Sequence, residues 1–174
     1  LNNKVNHFFK NENSNVVLIG KTFGHLGQSV LLEELYSIKE GKPPEVNLLN
    51  EKNNGEAILE LFDKNLLNSV HDISAGGLIV ALAEMVIPSN YGIKISKPKY
   101  LTNSLEYFFG EDQGRYIVEI DKNNMEKVEK ILKKNDIFYE NIGLTQKSNF
   151  EIQDEIKIKI EDLKMINNKW YNSY

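Results

Sequence analysis

Apolar positions recur along this chain in two rhythms, one of strands and one of helices. Val5 to Phe9 and Val16 to Ile19 are short apolar runs separated by Asn11-Glu12-Asn13-Ser14-Asn15, which predicts two strands and a turn. Val30, Leu31, Leu32, Leu35 and Ile38 form a helical stripe, closed by Gly41-Lys42-Pro43-Pro44 as an extended link. Asn50 reads as the N-cap of a helix through Asn54 to Leu67, with Ile58, Leu59, Leu61 and Phe62 as its apolar positions. A buried strand end follows at Ser69-Val70-His71-Asp72-Ile73. A short polar loop with two glycines comes next, then a helix that Pro88 stops. Gly92 to Ile95 predicts a strand, and Leu105 to Phe109 is a short apolar patch. Arg115 to Ile120 alternates as a half-buried strand does. Met125, Val128, Ile131 and Leu132 repeat at helical spacing, Ile137 to Ile142 and Ile156 to Ile160 predict further strands, and a last helix is expected from Ile160 to Trp170. With no linker and no internal repeat, the pattern predicts one compact α/β layered domain over residues 1–174.

Composition narrows the function classes. The length of 174 residues suits one domain, and 41% hydrophobic residues argue for a folded globule. The net charge is −4 with lysines and arginines scattered, so no nucleic-acid footprint is expected. Absence of cysteine removes disulfides, thiolate metal sites and cysteine nucleophiles, and fits a reducing, cytoplasmic compartment. No apolar run approaches the roughly 20 residues that span a membrane. Leu1-Asn2-Asn3-Lys4 is polar and unlike a signal peptide, and the missing initiator Met leads us to expect a fragment of a longer protein.

Three loops carry candidate chemistry. In Ser69 to Met85, the loop Ser74-Ala75-Gly76-Gly77 precedes a helix, so backbone N–H groups and the helix dipole suit a phosphate at Ser74, Gly76 and Gly77. The Asp72 carboxylate suits magnesium. A plain strand-to-helix turn fits the same spacing equally well. His71 reads as a packed or hydrogen-bonded histidine, with no nucleophile for it to serve. In Phe108-Phe109-Gly110-Glu111-Asp112-Gln113-Gly114-Arg115, Arg115 suits two-point binding of a phosphate or carboxylate, with Glu111 and Gln113 orienting a substrate. A solvated turn is the plainer reading of that segment. Gly24-His25-Leu26-Gly27-Gln28-Ser29 also feeds a helix, and there tight packing at a helix start is favoured over a phosphate.

Taken in order, these three motifs resemble phosphoribosylformylglycinamidine synthase, the ATP-using synthetase subunit of an amidotransferase-type enzyme of purine synthesis. Gly41-Lys42-Pro43-Pro44 fits as well, and the resemblance covers nearly the whole chain. It implies the C-terminal domain of the second of two tandem halves. That domain is of the kind shared with aminoimidazole ribonucleotide synthetase: an α/β (α+β) single-domain sandwich with a mixed sheet covered by helices. The implied reaction joins formylglycinamide ribonucleotide and glutamine-derived ammonia at the expense of ATP, giving the amidine, ADP and phosphate.

By the same resemblance Asp72 holds Mg2+ and Ser74 contacts a bound nucleotide, ATP or ADP, with the Gly76-Gly77 helix start beside it. Glu111, Asp112 and Gln113 match substrate-contacting positions of the first half. The implied partners are the N-terminal domains of the same synthetase, a glutaminase subunit and a small bridging subunit, since no glutaminase follows Tyr174. Two departures stand out: Ala75 replaces an Asp of the usual Ser-Asp-Gly-Gly, and Asp112 replaces a Ser. Both suit an auxiliary half whose nucleotide site is not the catalytic one. The competing expectations are a non-catalytic structural or nucleotide-binding module, and a lobe of a sister enzyme such as selenophosphate synthase, thiamine-monophosphate kinase or a hydrogenase maturation factor.

Overall fold

The computed structural model describes residues 4–98, 103–171 and 173; Leu1, Asn2 and Asn3 of the polar start, and Tyr174, lie outside them. In chain order the elements are β1 (Asn15–Ile19), α1 (Val30–Tyr36), α2 (Leu48–Asp63), β2 (Ser69–Ile73), α3 (Gly77–Val86), β3 (Gly92–Ile95) and α4 (Ser104–Phe109). They continue with β4 (Arg115–Ile120), α5 (Met125–Lys134), β5 (Tyr139–Gln146), β6 (Asn149–Ile152), β7 (Ile156–Lys159) and α6 (Ile160–Tyr171). The strands form one mixed sheet in the order β2-β4-β1-β5-β3-β6-β7, antiparallel throughout except for the parallel pair β3 and β6.

Strand alternation explains the two layers. β1 pairs with β4 so that Val17 faces Val118 and Leu18 faces Ile117. Val16, Leu18 and Ile117 then point to one side, into a core shared with Leu78, Leu82 and Met85 of α3 and Tyr107 and Phe108 of α4. Val17, Ile19, Val118 and Ile120 point to the other, against Ala57 and Leu61 of α2 and Val128 and Leu132 of α5. Covered on both faces, β1 is buried at all five positions, which is why it reads as a continuous apolar run. This is the expected mixed sheet covered by helices. No described helix is long and apolar enough to cross a membrane.

Several boundaries differ from expectation. Val5 to Phe9 is no strand: it makes one isolated parallel bridge, Asn6 to Ser69, and its apolar side chains plug the ends of the two cores, Phe9 in one and Val5 against the other. The first helix stops at Tyr36, before the Gly41–Pro44 link, because Ser37 turns left-handed (φ 56°) and the Ser37 and Ile38 N–H groups return to Glu33 and Leu32 carbonyls. The second starts three residues before Asn50: the Asn47 side chain caps it, accepting from the Leu49 and Asn50 N–H groups at 3.1 and 3.0 Å. It ends at Asp63, not Leu67. The region around 149–160 holds a β6–β7 hairpin where one strand was expected.

The cap assignment can be checked directly. Asn47→Ala should lower unfolding free energy by about 1 kcal/mol, whereas Asn50→Ala, inside the first turn, should change it by less than about 0.5 kcal/mol. Urea unfolding of the two variants in parallel makes the comparison.

Candidate functional site

The Gly110–Arg115 turn, between α4 and β4, is the point where the three motifs meet. The Asp112 carboxylate is buried and accepts three backbone N–H groups of the first glycine loop: Phe23 and Gly24 on Oδ2 at 2.9 Å each, and His25 on Oδ1 at 3.2 Å. Arg115 is 1% exposed. Its Nε donates to the Asp112 carbonyl at 3.1 Å, Nη1 to Thr22 Oγ1 at 3.1 Å and Nη2 to the Gly110 carbonyl, with the Asp112 carboxylate 3.9 Å away. Burial pushes the guanidinium below its ordinary value, opposed by the Asp112 charge. Glu111 Oε1 accepts from the N–H groups of Val30, at the start of α1, and of Gly76, at the start of α3. Gln113 sits at the surface and donates to the Glu111 carbonyl at 3.3 Å.

These contacts give the expected substrate residues other work in this structure. Arg115 points into the protein because it shares strand parity with Ile117, whose side chain packs with α3 and α4, and with the buried Glu119. Its donors hold the loop from Thr22 to His25, and none reaches an open surface. Asp112 serves the same loop: a carboxylate can take three N–H groups and answer the buried guanidinium, which a serine hydroxyl cannot do.

The second motif divides between the sheet and the loop. Asp72 belongs to β2 itself and pairs in register with Tyr116, so it stands on the α2 side of the sheet, away from α3. Its carboxylate is 68% exposed and lies 3.3 Å from His71 Nδ1. His71 Nε2 reaches Glu84 Oε2 at 3.0 Å, so His71 is a bridging, hydrogen-bonded histidine. Burial, then the carboxylates of Glu51 and Asp72, push the Tyr116 hydroxyl above its ordinary value. Ser74 is exposed. The Gly76 N–H is accepted by Glu111 at 2.8 Å and the Gly77 N–H by the Ser74 carbonyl at 3.1 Å. Gly77 also carries a positive φ of 71°, and a Cβ there would lie within 3.0 Å of three backbone atoms of Phe108, Phe109 and Gly110. Gly77 therefore serves a close crossing of α3 over the turn, while Gly76, at a positive φ of 79°, leaves room for the Val80 side chain one turn on. Among the described residues, no three His, Cys, Asp or Glu side chains could hold a metal ion together.

A cleft of about 360 Å³ opens between the first glycine loop and the start of α2, lined among others by Phe23, His25, Asn50, Glu51, Asp112 and Gln113. Glu51 and Phe23 were not singled out from the sequence. Glu51 looks like any acid in a helix's first turn, and Phe23 like a core residue, yet Phe23 is 71% exposed. An aromatic set directly before Gly24 in a glycine-punctuated loop was the available signal. The first glycine loop itself is tightly packed: His25 Nε2 contacts the Lys42 carbonyl at 2.7 Å and Gln28 donates to the Gly41 carbonyl at 2.9 Å, tying it to the Pro43-Pro44 link.

The profile of the AIR synthase related protein C-terminal domain matches residues 12–155. The chain belongs to that family. Among curated relatives, the phosphoribosylformylglycinamidine synthase subunit PurL of Pelagibacter ubique is 44% identical over 172 residues, 99% of this chain and 24% of that protein. The PurL subunit of Rhodopseudomonas palustris strain HaA2 is 37% identical over 166 residues, 95% of this chain and 23% of that protein. This AIR synthase-related domain thus spans about a quarter of the length of those relatives. In solved structures the fold recurs in Thermotoga maritima PurL complexed with FGAR, at TM-score 0.75 and 20% identity, over 92% of this chain and 29% of that one. It recurs also in the hydrogenase maturation protein HypE of E. coli, at TM-score 0.60 and 17% identity, over 91% of this chain and 52% of that one.

Removing either member of the buried pair should damage the domain. Arg115→Ala or Asp112→Ala should each lower unfolding free energy by about 3–5 kcal/mol, because each strands an uncompensated buried charge. Asp72→Ala, at an exposed carboxylate, should change it by less than about 0.5 kcal/mol. Denaturant titration of the three variants tests the contrast; a tolerated Arg115→Ala would contradict it.

Proposed function

We propose that this domain is the C-terminal lobe of the second half of a phosphoribosylformylglycinamidine synthase, acting in purine biosynthesis. The full-length protein would be an ATP-dependent C–N ligase joining glutamine-derived ammonia to formylglycinamide ribonucleotide. The observation that carries the reading is the 44% identity to a PurL subunit along 99% of the chain. The convergence of all three motifs on one turn supports it. The sister-enzyme alternative rests only on a shared fold, as with HypE at 17% identity.

Within that enzyme the lobe serves an auxiliary nucleotide site. Asp72 suits magnesium: it offers a hard carboxylate oxygen in an exposed position. Its remaining oxygen ligands come from outside the lobe: the N-terminal domain, nucleotide phosphates or water. Bound magnesium would neutralise phosphate charge. The Ser74 hydroxyl, exposed at the loop tip, would contact the nucleotide. Gly76 and Gly77 act as scaffolding, since their N–H groups are already accepted within the lobe. Of the third motif, Gln113 and the cleft beside it are the parts open to a small molecule. PurL structures from Thermotoga maritima are described as complexed with ATP and with ADP, and one structure as PurLQS. By analogy the partners here are a glutaminase subunit and a small bridging subunit, and the compartment is the cytoplasm.

A structural role without nucleotide is the second reading, favoured by the internal use of the loop N–H groups and by Ala75. Asp72→Ala in the full-length protein separates the readings. An auxiliary site predicts turnover within about threefold of the parent, well under the losses that follow removal of a transition-state contact, together with loss of nucleotide that survives purification. A drop in kcat of a hundredfold or more at unchanged stability would place the chemistry here instead. Unchanged nucleotide content would leave only the structural role.

A further inference from the structure

The Glu111 carboxylate lies at the junction of the two glycine loops. A single oxygen, Oε1, accepts from the Val30 and Gly76 N–H groups, at 2.8 Å each. The Glu111 backbone N–H donates to the His25 carbonyl at 2.9 Å, and Asp112 clamps the same loop from the next position. The carboxylate is thus delivered from a turn fixed on both sides. N–H groups at the starts of α1 and α3 converge on one negatively charged oxygen. That is the environment in which helix starts and glycine loops take up a phosphate or carboxylate from solution. Here the anion is part of the chain.

We propose that Glu111 is a built-in anion, a positioning residue that fills the cradle of the Ser74–Gly77 loop from within and locks that loop to the start of α1. Two consequences follow. A phosphate oxygen cannot reach the Gly76 N–H while Glu111 is in place, because the donor is occupied and the two anions repel. The position of Ser74 is also set through Glu111 relative to the 23–25 loop and its cleft, so the two sides of the site move as one body. This inference goes beyond the lobe assignment and does not depend on it: it concerns the chain's own contacts and is read without measuring activity.

The test is hydrogen–deuterium exchange on the full-length protein, following the peptides that contain Val30 and Gly76. In Glu111→Ala both amides lose their acceptor, and exchange there should speed up by about tenfold or more, as loss of a charge-assisted hydrogen bond predicts. Millimolar formate, a free carboxylate small enough for the vacated space, should restore protection in Glu111→Ala. It should do nothing for the parent beyond what chloride does at equal ionic strength. Glu111→Gln keeps an acceptor oxygen without the charge and should give intermediate exchange with no formate response. Unchanged exchange in Glu111→Ala, or equal formate effects on variant and parent, overturns the proposal. Should Glu111→Ala fail to fold, Glu111→Gln decides alone: exchange equal to the parent's at both peptides would show that no anion is needed there.

Discussion

The buried contact between Arg115 and the Asp112–Thr22 surroundings is the constraint on which the rest of the site depends. A guanidinium at 1% exposure is tolerable only where its donors find acceptors and its charge finds an answering charge. The Gly110 and Asp112 carbonyls, the Thr22 hydroxyl and the Asp112 carboxylate meet that requirement together. Each of them is thereby fixed in position, and with them the loop from Thr22 to His25. The same carboxylate accepts three N–H groups of the 23–25 loop and so holds that loop to the turn. Replacing serine by Asp112 is therefore consistent with a self-contained turn, and reads as a gain of internal order.

A second buried acid repeats the device further along β4. Glu119 is fully buried and accepts from the Lys10 and Asn11 N–H groups and the Ser69 hydroxyl. It holds the incoming segment against the edge strand β2. The strand thus carries an arginine and a glutamate on its core face, at Arg115 and Glu119, with Ile117 between them. Each charged residue pins a loop that has no regular structure of its own. Apolar packing holds the sheet and helices; charged groups on one strand hold the connections, including those that shape the cleft.

Much of the fold was legible because its signals were local. β1 and β4 announce themselves by run and alternation, α3 and α5 by period, and Pro88 by its missing donor. What failed had competing local explanations. Asn47 and Asn50 are equally good caps on sequence, and the exposed Leu48 and Leu49 break the apolar rhythm that would have marked the true start. Val5 to Phe9 is apolar because it plugs core ends, a role that carries no periodicity. β6 has four residues and finds its partners through a parallel pairing with β3 that only the whole sheet can offer. At the site, the side chains of Arg115 and Asp112 turn into the domain. The parity of Arg115 with Ile117 was available as a sign that it faces inward. The acceptor role of Glu111 was not, since it depends on two loops 81 and 35 residues away in sequence.

The three motifs that identify the family are, in this chain, largely one hydrogen-bonded unit. The first supplies N–H groups, the third supplies the carboxylates that accept them, and the second lends the Gly76 N–H and, at Gly77, the glycine that lets α3 pass close to the turn. Residues so interlocked hold this domain's loops together whether or not a ligand is ever bound. Their presence therefore speaks for kinship and architecture. Chemistry has to be sought in side chains that the unit leaves open: Asp72 on the far side of β2, Ser74 at the loop tip, and Gln113 beside the cleft. Of these, Asp72 alone combines charge, exposure and a rigid strand beneath it. It is the position where a role beyond folding can be separated from the fold itself.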